Sequence, residues 1–374
     1  MKNQDEYYNY PGFERFSEIQ LSAAGSQSLK HIEPLIKADS LAYVIYERVD
    51  LDRQQQFMQD FGLQTVLKSD ECLFMRGAGT SPYLYHVVRG EKDKFVGLGF
   101  TVTLEQDLEK ALSAGDNLTI ESVEVPGGGK RVRLRDPAGF VVDLVYGRKA
   151  VEPLALDRVE PFSVNTPFQT NRLGHLIRPK LEPASVIRLG HVVLVAPDFE
   201  EMVAWYKKYV GLLASDVMCV DDGTPVLVFG RLNRGANPAD HHTVAIGTAP
   251  VPMLRHTAFE VLDIDCLGQG QQFLRSKGWH HQWGIGRHIQ GSQFFDYWYD
   301  PAGAEVEHYA DGDKLTESYE ASYYPHDKGA RWMWGPDFPD PPAPKASELP
   351  TDIPATLRQM FLRMLDKSRP WYSE

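Results

Sequence analysis

Residues 286–313 bring together side chains that can bind a metal ion and move protons. His288 is followed by Tyr297, and a DPAG turn at 300–303 leads into a strand-like run that contains Glu307. Side chains alternate between the two faces of a strand, so a carboxylate fixed there points in one direction and can act as a metal ligand. Taken alone, the stretch is equally compatible with an edge strand that carries solvated acidic residues.

Two histidines farther upstream lie on strand-like apolar runs of their own. His191 stands in the sequence LGHVVLV and His256 in RHTAFEV. Two imidazoles and one carboxylate form the facial triad of non-haem Fe(II) oxygenases, which leaves coordination positions open for substrate and dioxygen. We therefore predict a metal site made of His191, His256 and Glu307. Fe(II) is the expected ion and Mn(II) is the alternative, because the same ligands suit both.

A series of short motifs extends this pattern over residues 187–312, in the order GH, DHHT, RHTAFEV, GRH, a tyrosine, DPAG and EVE. The series resembles the type I extradiol ring-cleaving dioxygenases of the vicinal oxygen chelate superfamily, and the resemblance covers about residues 39–312. It implies a catechol 2,3-type enzyme that inserts both atoms of O2 into a catechol-like aromatic diol, with meta ring cleavage, in the degradation of aromatic compounds. It also implies a homo-oligomer.

The resemblance assigns roles to side chains around the predicted metal. It maps the acid–base histidine of the family onto His242, and it maps a pair of groups that contact the substrate oxygens and help to deprotonate the diol onto His288 and Tyr297. Tyr299 lies on the same predicted strand face as Tyr297 and is the alternative for that role. Val193 follows a predicted ligand by two positions, so it shares that face and is a candidate for the wall of the substrate pocket.

The remaining histidines are expected to lie outside the site. Alternation along DHHTV at 240–244 sends the two histidines to opposite faces, which predicts a surface position for His241. An RLGH sequence at 172–175 imitates the one that ends in His191, but Pro179 interrupts any strand after it, so His175 is not assigned as a ligand. Four further histidines are expected to be solvated or structural: His86, His280, His281 and His308.

The elements that must position these groups occur twice along the chain. DPAG stands at 136–139 and again at 300–303, and Gly-Leu pairs end predicted helices at 62–63 and 211–212. This periodicity predicts an α+β fold with an internal repeat. The resemblance adds two tandem vicinal oxygen chelate modules, each built of paired βαβββ units that form a half-open barrel.

The repeat divides the chain into five predicted segments. The tail is expected to dock onto a module or another subunit rather than to take part in catalysis. The segments are an N-terminal lead-in at 1–38, a degenerate N-terminal module at 39–149, a linker at 150–186, a catalytic C-terminal module at 187–312, and a tail at 313–374 with an amphipathic helix at 354–367.

The two copies differ at the predicted metal ligands. The first copy has Tyr43, Gly97 and Asp143 at the positions of the two histidines and the glutamate of the second copy. A structural role would be expected in both copies, whereas metal-binding side chains occur in only one. We therefore predict that the C-terminal module alone is active.

Composition limits the classes of partner. The 374-residue chain has a net charge of −12 and no cluster of basic residues, which argues against nucleic acid. Its three cysteines show no CxxC spacing, its N-terminus does not resemble a signal peptide, and no apolar run approaches the roughly 18 residues of a membrane span. A cytoplasmic location is expected.

Two other functions remain open from the sequence. Another metal-dependent enzyme of the superfamily, of the glyoxalase or epimerase type, would usually draw ligands from both modules. A non-catalytic protein that binds a small molecule would not need His242, His288 and Tyr297 together. The identity of the diol is open as well, although three tryptophans are compatible with a bulky substrate: Trp279, Trp283 and Trp298.

Overall fold

A computed structural model describes residues 21, 25, 29, 30, 32–326, 331–339, 355, 357 and 358. Two mixed β-sheets with few helices hold most of this part of the chain. The predicted α+β class is confirmed. None of the helices in the described ranges is long and apolar enough to cross a membrane.

The first sheet is built from the N-terminal copy of the repeat. Its eight strands have the order β2-β3-β4-β1-β5-β8-β7-β6. In chain order the elements are β1 Ser40–Arg48, α1 Leu51–Asp60, β2 Gln64–Lys68, β3 Cys72–Arg76, β4 Tyr85–Arg89, β5 Lys94–Thr101, α2 Gln106–Ala111, β6 Ile120–Ser122, β7 Lys130–Arg135 and β8 Val141–Tyr146.

The second sheet is built from the C-terminal copy and from part of the tail. Its ten strands have the order β19-β10-β11-β13-β9-β14-β17-β16-β15-β20, and β12 pairs with β18 apart from it. The elements are β9 Val186–Ala196, α3 Phe199–Tyr209, β10 Leu212–Cys219, β11 Pro225–Leu232, β12 Ala239–Asp240, β13 Val244–Thr248, β14 Met253–Val261, α4 Ile264–Ser276, β15 His281–His288, β16 Phe294–Tyr299, β17 Glu305–Ala310, β18 Lys314–Leu315, β19 Ser322–Pro325 and β20 Trp332–Trp334.

The predicted repeat corresponds to eight strands that follow the same order in both sheets. Each half of a sheet contains a strand, a helix and three further strands, as expected for paired βαβββ units. In the second sheet Ala258 pairs with His191 on one side and with Glu307 on the other. In the first sheet Gly99 of β5 pairs with Tyr43 on one side and with Asp143 on the other. The strand register therefore aligns the two copies as the sequence does.

Apolar sequences explain why the central strands form. Strand β9 is buried almost from end to end, and α3 packs against the sheet through an apolar face that includes Met202 and Tyr206. A strand that is buried on both faces is expected to be a nearly continuous apolar run, and VVLVA at 192–196 is one. Asp263 caps α4 by accepting a hydrogen bond from the Cys266 amide at 2.9 Å.

The two DPAG turns join the sheets to each other. Asp300, from the second copy, accepts hydrogen bonds from Arg48 at 2.8 Å and from Gln54 at 3.1 Å, both in the first copy. Asp136, from the first copy, accepts a hydrogen bond from Tyr206 of the second copy at 3.0 Å. Each aspartate is buried, so each turn fixes the position of the opposite copy.

The tail adds a strand to each edge of the second sheet. Strand β19 pairs in parallel with β10, and β20 pairs antiparallel with β15. Of the predicted amphipathic helix at 354–367, residues 355, 357 and 358 are described and are helical, and the rest lies outside the described residues. Leu357 is buried in a small cluster with Val220 and Val226.

Candidate active site

Three donor atoms meet on adjacent central strands of the second sheet. His191 on β9 and His256 on β14 have their Nε2 atoms 3.4 Å apart. Glu307 on β17 places Oε2 at 3.2 Å from the His191 Nε2 and at 3.3 Å from the His256 Nε2. The ligand atoms of the three residues all lie within 4.8 Å of one another.

The strand register explains this convergence. Glu307 and His191 flank Ala258, whose methyl group leaves the space between them open. His256 precedes Ala258 by two residues, so it lies on the same face of β14. The three predicted ligands therefore lie on one face of three hydrogen-bonded strands, although they are far apart in the sequence.

The buried carboxylate needs a cation. Glu307 is fully buried, and among the described residues neither of its oxygens has a hydrogen-bond partner of good geometry. Burial by itself would raise the pKa of Glu307, but contacts with His191, His256 and His288 hold it well below its usual value. Burial also lowers the pKa of His191, so its ring is neutral and its Nε2 lone pair is available. A divalent cation bound by two nitrogens and one oxygen fits these atoms.

In the first copy, side chains and backbone fill the position that corresponds to the predicted metal site. Tyr43 donates a hydrogen bond to Asp143 at 2.9 Å, and Arg133 donates to both carboxylate oxygens at 2.8 and 2.9 Å. A Cβ on Gly97 would lie 2.0 Å from the carbonyl oxygen of Val141, so no histidine fits there. The guanidinium neutralises the buried carboxylate that a metal would neutralise in the second copy.

A cavity of about 320 Å³ borders two of the three predicted ligands. Its floor includes His191 and His256, and its polar rim includes His242, His288 and Tyr297. The predicted pocket residue Val193 lines it. Most of the remaining wall is apolar and is formed by side chains such as Val195, Met218, Leu227, Phe229 and Met253.

His288 and Tyr297 form one hydrogen-bonded unit at the cavity. The Nδ1–H of His288 donates to the main-chain oxygen of Arg331 at 2.7 Å, so the Nε2 of the neutral ring accepts from the Tyr297 hydroxyl at 2.9 Å. Burial raises the pKa of Tyr297 well above its usual value, and the nearby Glu307 carboxylate raises it further. Tyr299, the alternative, packs against His280 instead.

His242 lies beside the predicted metal ligand His191. Its ring lies 4.0 Å from the His191 ring, centroid to centroid. Burial lowers the pKa of His242 well below its usual value, and the neighbouring His191 and His241 rings lower it further. His242 is therefore neutral at pH 7 and can accept a proton.

The predicted surface position of His241 is wrong. The residue is 2% exposed, and its ring joins His242 to Asp216, with 3.0 Å between the two Nδ1 atoms and 2.9 Å between Nε2 and Oδ2. With His241 neutral, its Nε2–H donates to Asp216 and its Nδ1 accepts from His242. This hydrogen-bond chain leaves the Nε2 of His242 as the unprotonated atom.

Several residues of the cavity come from the tail and were not predicted from the sequence. His326, Arg331 and Phe338 line the cavity, and so does Arg255, which precedes a predicted ligand. The only local signal was an arginine that begins the aromatic run RWMW at 331–334. The expectation that the tail takes no part in catalysis stays a prediction, although three of its side chains face the same space as two of the predicted metal ligands.

The other histidines have the structural or exposed environments that were expected. His308 is buried and donates from Nε2 to the main-chain oxygen of Phe61 at 2.7 Å. His281 lies 2.8 Å from Asp296, and His175 is exposed on the linker. None of these three lines the cavity above the predicted metal ligands.

Comparisons with known proteins agree with this geometry. The model of the Glyoxalase/Bleomycin resistance protein/Dioxygenase superfamily matches residues 188–308. Metapyrocatechase 2 of Cupriavidus necator is 27% identical over 310 residues, which are 80% of this chain and 90% of that protein.

Two solved structures share the fold. Homoprotocatechuate 2,3-dioxygenase of Brevibacterium fuscum, in complex with 3,4-dihydroxyphenylacetate, superposes with a TM-score of 0.68 at 20% identity and covers 86% of this chain and 94% of its own. The Mn(II)-bound glyoxalase of Novosphingobium aromaticivorans superposes with a TM-score of 0.67 at 21% identity, over 81% and 93% of the two chains.

Proposed function

We propose that the chain is an extradiol ring-cleaving dioxygenase of the Glyoxalase/Bleomycin resistance protein/Dioxygenase superfamily and that it binds Fe(II) through His191, His256 and Glu307. The observation that supports this assignment is a buried carboxylate that has no hydrogen-bond partner among the described residues and lies between two imidazoles that line a cavity. An aromatic diol and O2 are the substrates. Mn(II) is the alternative ion because the same three donors suit it.

The bound cation would hold the diol and dioxygen side by side and would lower the pKa of the diol. The side chains of the cavity then control the protons. The Tyr297 phenol remains protonated because its pKa is raised. Its single O–H donates to the Nε2 of His288, so it reaches a substrate oxygen only by turning away from His288. That turn frees the Nε2 of His288 to accept a proton from the diol.

His242 is the second proton-transfer group. Its neutral ring lies against His191 and lines the cavity, where it can accept a proton and later return it to the substrate. The apolar wall that includes Val193 and Phe229 holds the aromatic ring and excludes water. In this assignment, His288 takes part in deprotonation of the diol and His242 in protonation of the product.

Asp216→Asn is expected to lower kcat/KM roughly 10- to 100-fold while bound metal is retained. The amide cannot accept from His241 as strongly as the carboxylate, so the preferred proton position along the two rings is lost. Oxygen uptake with a saturating diol, normalised to bound metal, measures the change. Asp222→Asn, an exposed aspartate after β10, is the matched control; equal activity of the two variants would contradict the role of Asp216.

Removal of the metal is expected to lower the melting temperature by roughly 8–16 °C. A metal present at 1,000 times its Kd stabilises the folded state by about 4 kcal/mol, and in a chain of this size each kcal/mol corresponds to about 2–4 °C. Differential scanning calorimetry with and without a chelator, followed by anaerobic return of Fe(II), tests this. Unchanged melting would argue against metal binding at the buried Glu307 carboxylate.

The decisive experiment is anaerobic purification followed by metal analysis and turnover of a panel of catechols. Bound iron close to one per chain, oxygen uptake and a yellow ring-fission product are expected together. Bound metal without oxygen uptake on any diol would favour a glyoxalase- or epimerase-type reaction on the same fold. A glyoxalase- or epimerase-type enzyme would usually draw ligands from both copies. In the first copy Arg133 stands where a metal would be needed, which argues against that alternative.

A homo-oligomeric assembly and a cytoplasmic location are also proposed, on the family resemblance. All three cysteines, Cys72, Cys219 and Cys266, are free, which is compatible with a reducing compartment. Light scattering coupled to gel filtration would measure the native mass of the assembly.

A further inference from the structure

The residues next to two of the predicted ligands face the first copy of the repeat. Thr257 follows His256 on β14, and His308 follows Glu307 on β17. Because neighbouring side chains of a strand point to opposite faces, Thr257 and His308 lie on the face of the sheet that is turned away from the three donor atoms. Both side chains are fully buried there. Their contacts therefore determine what holds these two strands from behind.

His308 is held by the end of α1 in the first copy. Its Nε2–H donates to the main-chain oxygen of Phe61 at 2.7 Å, and its ring stacks on the Phe61 ring with 3.7 Å between the centroids. Phe61 is the C-terminal cap of α1, where the last carbonyl oxygens of a helix have no partner within the helix. The first copy therefore fixes the side chain next to Glu307 through one hydrogen bond and one ring contact.

The other two ligand-bearing strands contact the first copy as well. The hydroxyl of Tyr46 on β1 lies 3.2 Å from the hydroxyl of Thr257 on β14, and both residues are buried. At the start of β9, the strand that carries His191, the main-chain oxygen of Val186 accepts from the Ala78 amide at 2.7 Å. Each of the three strands that carry a predicted ligand is thus joined to the first copy by a hydrogen bond.

The repeat allows a comparison, because the same contacts could exist in the opposite direction. The alignment of the two copies places buried leucines at the corresponding positions, which are Leu98 for Thr257, Leu144 for His308 and Leu194 for Tyr46. A leucine side chain can neither donate nor accept a hydrogen bond. At these positions the side-chain hydrogen bonds between the copies therefore occur only behind the predicted ligands of the second copy, and not behind the corresponding residues of the first. A general need to join the two copies would not explain this difference.

We propose that the first copy positions the metal ligands of the second, with His308 as the positioning residue of Glu307 and Thr257 as that of His256. The inference rests on the proposed metal site and goes beyond the proposed ring cleavage. A side chain that is displaced on one face of a strand shifts the main chain, and the neighbouring side chain on the other face shifts with it. Removal of a group that orients a metal ligand typically weakens metal binding roughly 10- to 100-fold.

Anaerobic titration of the metal-free protein with Co(II) tests the proposal through affinity and through the visible absorption bands, which report the coordination geometry. His308→Leu is expected to weaken Co(II) binding roughly 10- to 100-fold and to change the bands, because leucine cannot donate to the Phe61 oxygen. His308→Gln is expected to restore both to near the wild-type values, since its amide nitrogen can donate to the same oxygen.

The matched control for this variant is His86→Leu. His86 lies on β4 of the first copy and stacks on the Phe74 ring with 4.2 Å between the centroids, but β4 carries no predicted ligand. Its replacement is expected to leave the Co(II) affinity and the absorption bands unchanged. An equal loss of Co(II) binding in His86→Leu and His308→Leu would show a general loosening of the fold and would contradict a specific role of His308.

A second variant tests the other contact and decides the question if His308→Leu does not fold. Tyr46→Phe removes only the hydroxyl that lies against Thr257, and it is expected to weaken Co(II) binding by about 2- to 10-fold and to shift the same bands. Tyr43→Phe is its control, because it removes a buried hydroxyl that donates to Asp143 within the first copy. This control is expected to bind Co(II) as the wild type does.

The outcomes separate this inference from the proposed function. Wild-type affinity and spectrum in folded His308→Leu and Tyr46→Phe would overturn the positioning role and leave the metal site intact. Absence of Co(II) binding by the wild type would overturn the proposed metal site and this inference with it. Metal binding without cleavage of any diol would overturn the dioxygenase assignment alone, and the Co(II) titration would still decide whether the first copy positions the ligands.

Discussion

Glu307→Gln is expected to remove bound metal and to lower ring-cleavage activity by roughly three orders of magnitude or more. The amide is neutral and its nitrogen carries two hydrogens, so it can neither balance the charge of a divalent cation nor coordinate it through both terminal atoms. His191 and His256 alone would leave a two-nitrogen site. Metal content after anaerobic dialysis and oxygen uptake with excess Fe(II) measure the two effects.

The matched control for this variant is Asp143→Asn, which changes the corresponding carboxylate of the first copy. Asp143 binds Arg133 and Tyr43, so this variant is expected to keep its metal and activity while its free energy of unfolding falls by about 1–3 kcal/mol, because the Arg133 side chain is 39% exposed and water can solvate it once the carboxylate is lost. Full activity of Glu307→Gln, or loss of metal in Asp143→Asn, would contradict the assignment of the C-terminal copy as the active one.

His242→Asn is expected to lower kcat by roughly 100- to 10,000-fold, while the protein still binds metal and diol. Asparagine keeps a polar group at the cavity but has no proton to exchange near neutral pH. Since His242 contacts His191 and is not one of the three predicted ligands, its loss removes no predicted ligand atom. Single-turnover mixing of the anaerobic enzyme–diol complex with O2 separates binding from the steps that follow.

Replacement of the exposed linker residue with His175→Asn is the control, and it should leave kcat unchanged. A variant His242→Asn with normal kcat would assign proton transfer to His288 and Tyr297 alone. Loss of metal from His242→Asn would instead assign His242 a structural role beside His191.

The three predicted metal ligands share one property. His191, His256 and Glu307 lie on strands, where alternation determines the face of each side chain, and the repeat aligns those strands with a second copy. Alternation and the repeat therefore predict that the three side chains converge, provided that the order of the strands in the sheet is known. Their roles as ligands remain predictions until a metal is measured.

His241 shows where the same reasoning does not apply. The prediction treated residues 240–244 as one continuous strand, whereas β12 ends at Asp240 and β13 begins at Val244. Between the strands the backbone no longer alternates, so both histidines turn inward and the first meets Asp216. The position of this short break depends on pairing of β12 with β18 in the distant tail.

The tail residues could not be predicted for a related reason. Strands β19 and β20 join opposite edges of one sheet although only a few residues separate them in the sequence. Edge-strand pairing depends on main-chain groups, which leave no pattern of side chains. Arg331 and His326 therefore reach the cavity through a topology that local periodicity does not report.

The hydrogen bonds around Asp143 have an evolutionary consequence. After duplication, a copy that loses its metal still contains a buried carboxylate, and Arg133 now supplies the missing positive charge. Regaining a metal would require a histidine in place of Tyr43, the removal of Arg133 and a wider gap between the strands at Gly97. Each change alone leaves an unbalanced charge or a steric clash. If the C-terminal copy alone binds a metal, as predicted, this division of labour would be close to irreversible by single substitutions.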